Sequence, residues 1–259
     1  MALSKIKIAK LEDVLRTALR KRFQVYNPEP ASMPFHTRLL GKDRLALYSF
    51  IHSLNTNFGT SIFEPVAKEL ALANFQSVLS QQTAGTQISS EAHNVIQNIM
   101  DNLATANVSP DKPREIKAIR SVCQKGEMKK VKPTKVDVKL IGRDGTIYLF
   151  DIKTAKPNAG GFKEFKRTLL EWTAAALADD PKADIQTIIA IPYNPYAPEP
   201  YNRWTMRGML DLKDELKVQE EFWDFLGGHG AYLDLLDCFE KVGIELRDEI
   251  DAYFKKFKR

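Results

Sequence analysis

Three side chains in the middle of this 259-residue chain have the types and spacing for phosphodiester hydrolysis: Asp137 and, after thirteen intervening residues, Asp151 and Lys153. Breaking a phosphodiester requires a hard cation to polarise the phosphoryl oxygen, an activated water, and a group that neutralises developing negative charge. Magnesium suits oxygen ligands, binds through one or two carboxylates and keeps several waters, so two acids and one ammonium are a minimal set. Mn2+ is expected to substitute for Mg2+. An Asp-x-Lys tripeptide alone is common by chance, and its meaning depends on the elements that bring the three groups together.

From Val131 the sequence alternates. Val136, Val138 and Leu140 interleave with Asp137, Lys139 and Ile141, residues 142–145 read as a turn, and residues 146–153 resume the alternation with Tyr148, Phe150 and Ile152. This is a β-hairpin pattern. A two-residue turn of Asp144 and Gly145 would place Asp137 opposite Ile152, facing away from Asp151 and Lys153. A three-residue turn of Arg143, Asp144 and Gly145, with Gly145 at a left-handed bulge position, places Asp137 opposite Asp151 so that all three groups share a face. The second register also gathers Val136, Val138, Leu140, Tyr148, Phe150 and Ile152 on the other face. Burial there, at roughly 1.5 to 3 kcal/mol per large side chain, offsets the repulsion of adjacent carboxylates until a cation binds. Folding and chemistry ask for the same pairing.

On these residues the string KVDVKLIGRDGTIYLFDIKTAK resembles the PD-(D/E)XK nucleases, and most of all type II restriction endonucleases. Val136, rather than proline, precedes the first acid. The resemblance implies an α/β fold, with a restriction-endonuclease-like core of mixed β-sheet flanked by helices and helical additions at both ends. It implies that Asp137 and Asp151 hold Mg2+, assisted by the Ile152 carbonyl, and that Lys153 orients or activates water and stabilises developing charge. An added acid from the preceding helix is also implied, with Glu64 the best-placed match and Glu69 second. Glu64 has another reading, as a helix cap favoured by the helix dipole ahead of Pro65. FGTSIFEPVAKELA, VDVKL and FDIKTAKPN resemble, more narrowly, a small set of restriction enzymes associated with a GGNCC target. The implied function is Mg2+-dependent cleavage of double-stranded DNA at a specific sequence. The alternatives are a DNA-repair nuclease or junction resolvase with the same chemistry, and a DNA-binding module whose acids are structural. One constellation per chain and two cuts per duplex make a two-fold homodimer the economical arrangement.

DNA contacts are expected outside the hairpin. Lys163, Lys166 and Arg167 fall on one side of an expected helix and suit phosphate contacts, or simply a solvated face. Asn194, Asn202, Arg203 and Arg207 lie in a loop rich in Pro and Tyr that could read base edges or could be a packed proline loop. Gln81, Gln82 and Gln87, beside Gly85, are a second recognition candidate. His36, His52, His93 and His229 are scattered and read as structural or surface residues.

The positioning elements follow from periodicity. Helices are expected over residues 4–24, 42–55, from about Pro65, 86–105, 162–178, 210–226 and 231–257, with a strand over 185–191. Pro28, Pro30 and Pro34 interrupt the N-terminal pattern. The chain is expected to be one nuclease domain: a helical part over 1–60, a catalytic core over 61–191, and a loop with C-terminal helices over 192–259.

Composition agrees with this reading. The chain is 44% hydrophobic, enough for a sizeable core, and carries +5 with a pI near 9.0. The charge is concentrated: between Asp111 and Lys139 ten Lys or Arg stand against four acids, and the first 22 residues add another +5. Such runs suit a polyanionic partner or a solvated helix face. No apolar stretch approaches the ~20 residues of a membrane span, and MALSKIKIAKLEDVL lacks a signal peptide's apolar run. Cys123 and Cys238 form no CxxC, so neither zinc nor a disulfide framework is indicated and a reducing cytoplasm is expected.

Overall fold

The structure is a computed structural model that describes residues 2–25, 33–131, 134–153, 161–202 and 208–255. Its first part is helical: α1 (Lys5–Val25), α2 (Pro34–Leu40), α3 (Lys42–Phe58), a π-helical turn (Gly59–Phe63) and α4 (Glu64–Ala71). Then come β1 (Ser77–Thr83), β2 (Gln87–Ser89), α5 (Ser90–Ala104), α6 (Lys112–Arg120) and β3 (Met128–Lys130). The hairpin strands β4 (Lys135–Ile141) and β5 (Ile147–Ile152) are followed by α7 (Gly161–Asp179) and β6 (Ile185–Ile191). β7 (Leu216–Val218), α8 (Glu220–Gly227), α9 (Ala231–Glu245) and α10 (Arg247–Lys255) complete it.

Five strands form one sheet in the order β1-β4-β5-β6-β7; β1 and β4, and β4 and β5, pair antiparallel, while β5 and β6, and β6 and β7, pair parallel. Helices cover both faces of this mixed sheet, giving the α/β, restriction-endonuclease-like architecture. One core gathers residues of α5, α6 and α7 around Leu149, Ile185, Ile189 and Ile191. The other gathers α1, α4, α8 and α9 around Val138, Leu140, Phe150 and Ile188. A strand between two helical layers needs apolar residues on both faces, which is why β6 reads IQTIIAI without alternation.

The hairpin takes the three-residue turn. Gly142 N–H donates to Thr146 O (2.8 Å) and Gly145 N–H to Gly142 O (3.0 Å), enclosing residues 143–145. Gly145 has φ +89°, a conformation that a Cβ would oppose. Backbone pairs run from Ile141↔Ile147 to Val138↔Phe150, and the same register sets Asp137 opposite Asp151.

Several sequence expectations are corrected. The helix expected from 86 begins at Ser90, after β2, because the Ser89 hydroxyl caps it by accepting the Ala92 N–H at 3.0 Å. The helix expected over 210–226 is β7 followed by α8, and the last helix divides at Leu246 into α9 and α10. Val136 packs in the α5–α7 core rather than with Val138 and Leu140. Pro34 opens α2, and Pro28 and Pro30 lie outside the described residues.

Candidate active site

The acids sit where β4 and β5 part. Along β5, odd residues donate to β6: Ile147 N–H to Asp184 O (2.8 Å) and Lys153 N–H to Ala190 O (2.9 Å). Even residues therefore face β4, and the Ile152 N–H would find a backbone acceptor there if the ladder continued. It donates instead to Asp137 Oδ2 at 2.8 Å. The Asp137 carboxylate stands between the strands in place of a backbone carbonyl, and β4 diverges beyond it, which carries Val136 into the other core. An extended residue's carbonyl projects to the same edge as its N–H, so the Ile152 carbonyl faces the gap that Asp137 opens.

Lys153 completes the group. Its Nζ is 2.7 Å from Asp151 Oδ1 and 4.7 Å from the centre of the Phe165 ring, so α7 backs the ammonium while a third of the side chain stays exposed. Glu64 approaches from the opposite helical layer. It is buried, and Gln81 Nε2 donates to its Oε2 at 2.8 Å and to Asp137 Oδ1 at 3.4 Å. The cap reading of Glu64 is corrected: the chain is helical without a break from Lys42 to Ala71, so Glu64 is not at a free helix start and makes no side-chain cap bond. The π turn is what admits Pro65 inside this run, since proline can neither donate to the preceding turn nor fit against it. Glu69 points elsewhere, pairing with Lys7 of α1 at 3.2 Å.

Crowding leaves an electrostatic mark. Burial, then the neighbouring Asp151, push the Asp137 carboxyl up to about 7, against the relief of the Ile152 N–H. Burial also raises Glu64, with Asp151 adding to the effect and Gln81 and Lys135 opposing it. Carboxylates kept this close without enough positive charge are what a divalent cation would neutralise. Among the described residues no group of three or more His, Cys, Asp or Glu is arranged to hold an ion by itself. Two carboxylates beside a carbonyl suit an ion that keeps waters, as Mg2+ does.

The other candidates are scattered. Lys163 is exposed, and Arg167 is half-buried with Nη2 on Gln97 Oε1 at 2.8 Å. Lys166 is fully buried: its Nζ lies 2.6 Å from both Glu115 Oε2 and Glu215 Oε2, so it cannot meet phosphate from that position. Lys112, counted in the basic run, is likewise buried, 3.0 Å from Glu215 Oε1 and 2.6 Å from Thr187 Oγ1. Asn194 braces its own loop, donating to Glu199 O (2.7 Å) and accepting from Tyr196 N–H (2.9 Å). Asn202 is exposed, and Arg203 and Arg207 lie outside the described residues. Gln82 is exposed on β1, bonding Ser80 O at 3.2 Å, and Gln87 is exposed on the β2–β3 ribbon opposite Lys130. Gln81, a recognition candidate by sequence, is instead inside the acid cluster, and the polar pair Gln81-Gln82 within a strand was the signal for it.

The family model for the type II restriction endonuclease HinfI matches residues 4–243. The chain belongs to this family. Relatives include the type II restriction enzymes HgiCII and HgiEI of Herpetosiphon aurantiacus, 24% identical over 84% of this chain and 80% of the relative, and 23% over 96% and 98%. The type II restriction enzyme MjaII of Methanocaldococcus jannaschii is 26% identical over 93% of this chain and 72% of its own length. The family makes the chain a sequence-specific restriction endonuclease acting on DNA. Among the described residues no helix is long and apolar enough to cross a membrane.

Proposed function

We propose that this endonuclease hydrolyses both strands of duplex DNA with Mg2+ held by Asp137, Asp151 and the Ile152 carbonyl, Glu64 standing by as a further acid. The observation that carries the reading is the gap between β4 and β5, where one carboxylate replaces a backbone acceptor and a second is paired to Lys153 at 2.7 Å. Bound there, Mg2+ would supply Lewis-acid polarisation of the phosphoryl oxygen and lower the cost of ionising water. Asp137 and Asp151 would hold that ion at a fixed place where β4 and β5 part. Lys153, held by Asp151 and Phe165, places its ammonium beside the phosphate, where it orients the attacking water and offsets charge as the bond breaks.

The DNA-facing surface is proposed to include Lys163 and the β2–β3 ribbon, where Gln87, Lys129 and Lys130 are all exposed. The likeness of the segments around Glu64, Asp137 and Asp151 to enzymes associated with GGNCC supports a target of that type. The chain is proposed to act as one nuclease domain and as a homodimer, one cut per protomer. Digestion of a sequenced plasmid with Mg2+, with Mn2+ and with chelator, followed by mapping of the ends, tests the whole reading. Discrete fragments that require the metal are the expected result; cutting confined to branched or damaged DNA, or binding without nicking, would overturn it. Asp137→Ala, Asp151→Ala and Lys153→Ala should each lose cleavage by at least about a thousandfold while keeping the wild-type circular dichroism spectrum.

A further inference from the structure

Across the sheet one row of residues holds Gln81 on β1, Asp137 on β4 and Asp151 on β5. The β1–β4 register pairs Ser80 with Val138 and Gln82 with Val136, which sets Gln81 opposite Asp137. Within this row Gln81 alone has a left-handed backbone, φ +56°. An L residue there costs roughly 1 to 2 kcal/mol, and strands seldom contain one. The side chain gained by that kink reaches two carboxylates at once, donating to Glu64 Oε2 at 2.8 Å and Asp137 Oδ1 at 3.4 Å. A primary amide has two N–H bonds diverging in one plane, so a single neutral group can bridge two anions that repel.

We infer that Gln81 is a positioning residue that gathers Glu64 and Asp137 in the metal-free enzyme, so that the acids are already assembled when the cation arrives. The inference rests on the metal-site reading above. It assigns Gln81 neither to the phosphate nor to the bases. Its effect belongs to metal affinity, as with other groups that orient ligands from behind, where removal weakens binding about 10- to 100-fold. Loss of Gln81 should raise the metal requirement more than it lowers kcat.

Three variants of the full chain separate the amide from the strain. Gln81→Leu removes the amide; Gln81→Asn keeps an amide on a shorter arm and tolerates the left-handed backbone; Gln81→Gly relieves the backbone and removes the amide. Titration of Mn2+ into DNA-free protein, read by electron paramagnetic resonance, should give at least tenfold weaker binding for all three. The Mg2+ concentration for half-maximal cleavage should rise in parallel, by a larger factor than any fall in kcat at saturation. Wild-type Mn2+ affinity in Gln81→Gly or Gln81→Asn would overturn the role of Gln81 while leaving the metal site standing. Wild-type protein that neither binds Mn2+ nor needs a metal to cut would overturn both.

Discussion

A carboxylic acid buried beside two others keeps its proton to higher pH than one in water, and Asp137 stands in that position. Its pKa rises from 3.8 to about 7, first through burial and then through Asp151. In metal-free protein between about pH 4 and 7 the folded state therefore holds a proton that the unfolded state has released. The slope of stability with pH is then negative: Asp137 costs nothing below about pH 4, and its penalty grows to the order of 4 kcal/mol above pH 7. Urea unfolding in chelator at pH 5 and pH 7.5 checks this, taken as the difference between wild type and Asp137→Asn. The difference should widen at pH 7.5 in favour of the variant, and Mg2+ should restore wild-type stability there. Equal differences at the two pH values would refute the assignment. The sequence singled out the same residue as a candidate acid, because an isolated acid on an alternating strand is unusual. Its substitution for a backbone acceptor was not legible, since that depends on where two strands separate.

At the scale of elements, the informative failure is Lys166. A basic side chain three residues after Lys163 reads as part of a phosphate-facing helix surface, yet α7 turns it inward to Glu115 of α6 and Glu215 ahead of β7. Removing it leaves Glu115 buried without its cation and Glu215 with Lys112 alone, a loss of about 3 to 5 kcal/mol. Lys166→Met should therefore lower the urea midpoint sharply; an unchanged midpoint with weakened DNA binding would restore the surface reading. Strong periodicity made α1, α7, β6 and the hairpin legible. The weakly patterned elements were not: β1 is a half-exposed edge strand of sequence SVLSQQT, and β2, β3 and β7 have three residues each. For α6 a usable signal was present, since Asp111 caps it through the Arg114 N–H at 3.0 Å and Pro113 sits in its first turn. The Lys-rich texture of the segment concealed it.

At the scale of the molecule, α2 and α3 leave several large apolar side chains exposed among the described residues. α2 has seven residues, none of them buried, yet Phe35 and Leu39 are 84% and 82% exposed, one helical turn apart. So short a helix is unstable in water without packing. Leu40, Leu47, Tyr48 and Ile51 are also exposed, large apolar side chains of the kind that the core of a protein interface buries. A second copy of the chain is the proposed occupant, since two protomers would supply one active site for each strand of the duplex. α3 also runs through the π turn directly into Glu64, so a contact made on α3 bears on the acid cluster. Substituting Phe35→Glu and Leu39→Glu together should convert a dimer to a monomer by light scattering without changing the circular dichroism spectrum. Plasmid digestion should then accumulate nicked circles ahead of linear product, since the two cuts no longer occur in one encounter. A variant that remains dimeric, or a wild type that is monomeric both alone and on its target duplex, would remove this face from the account.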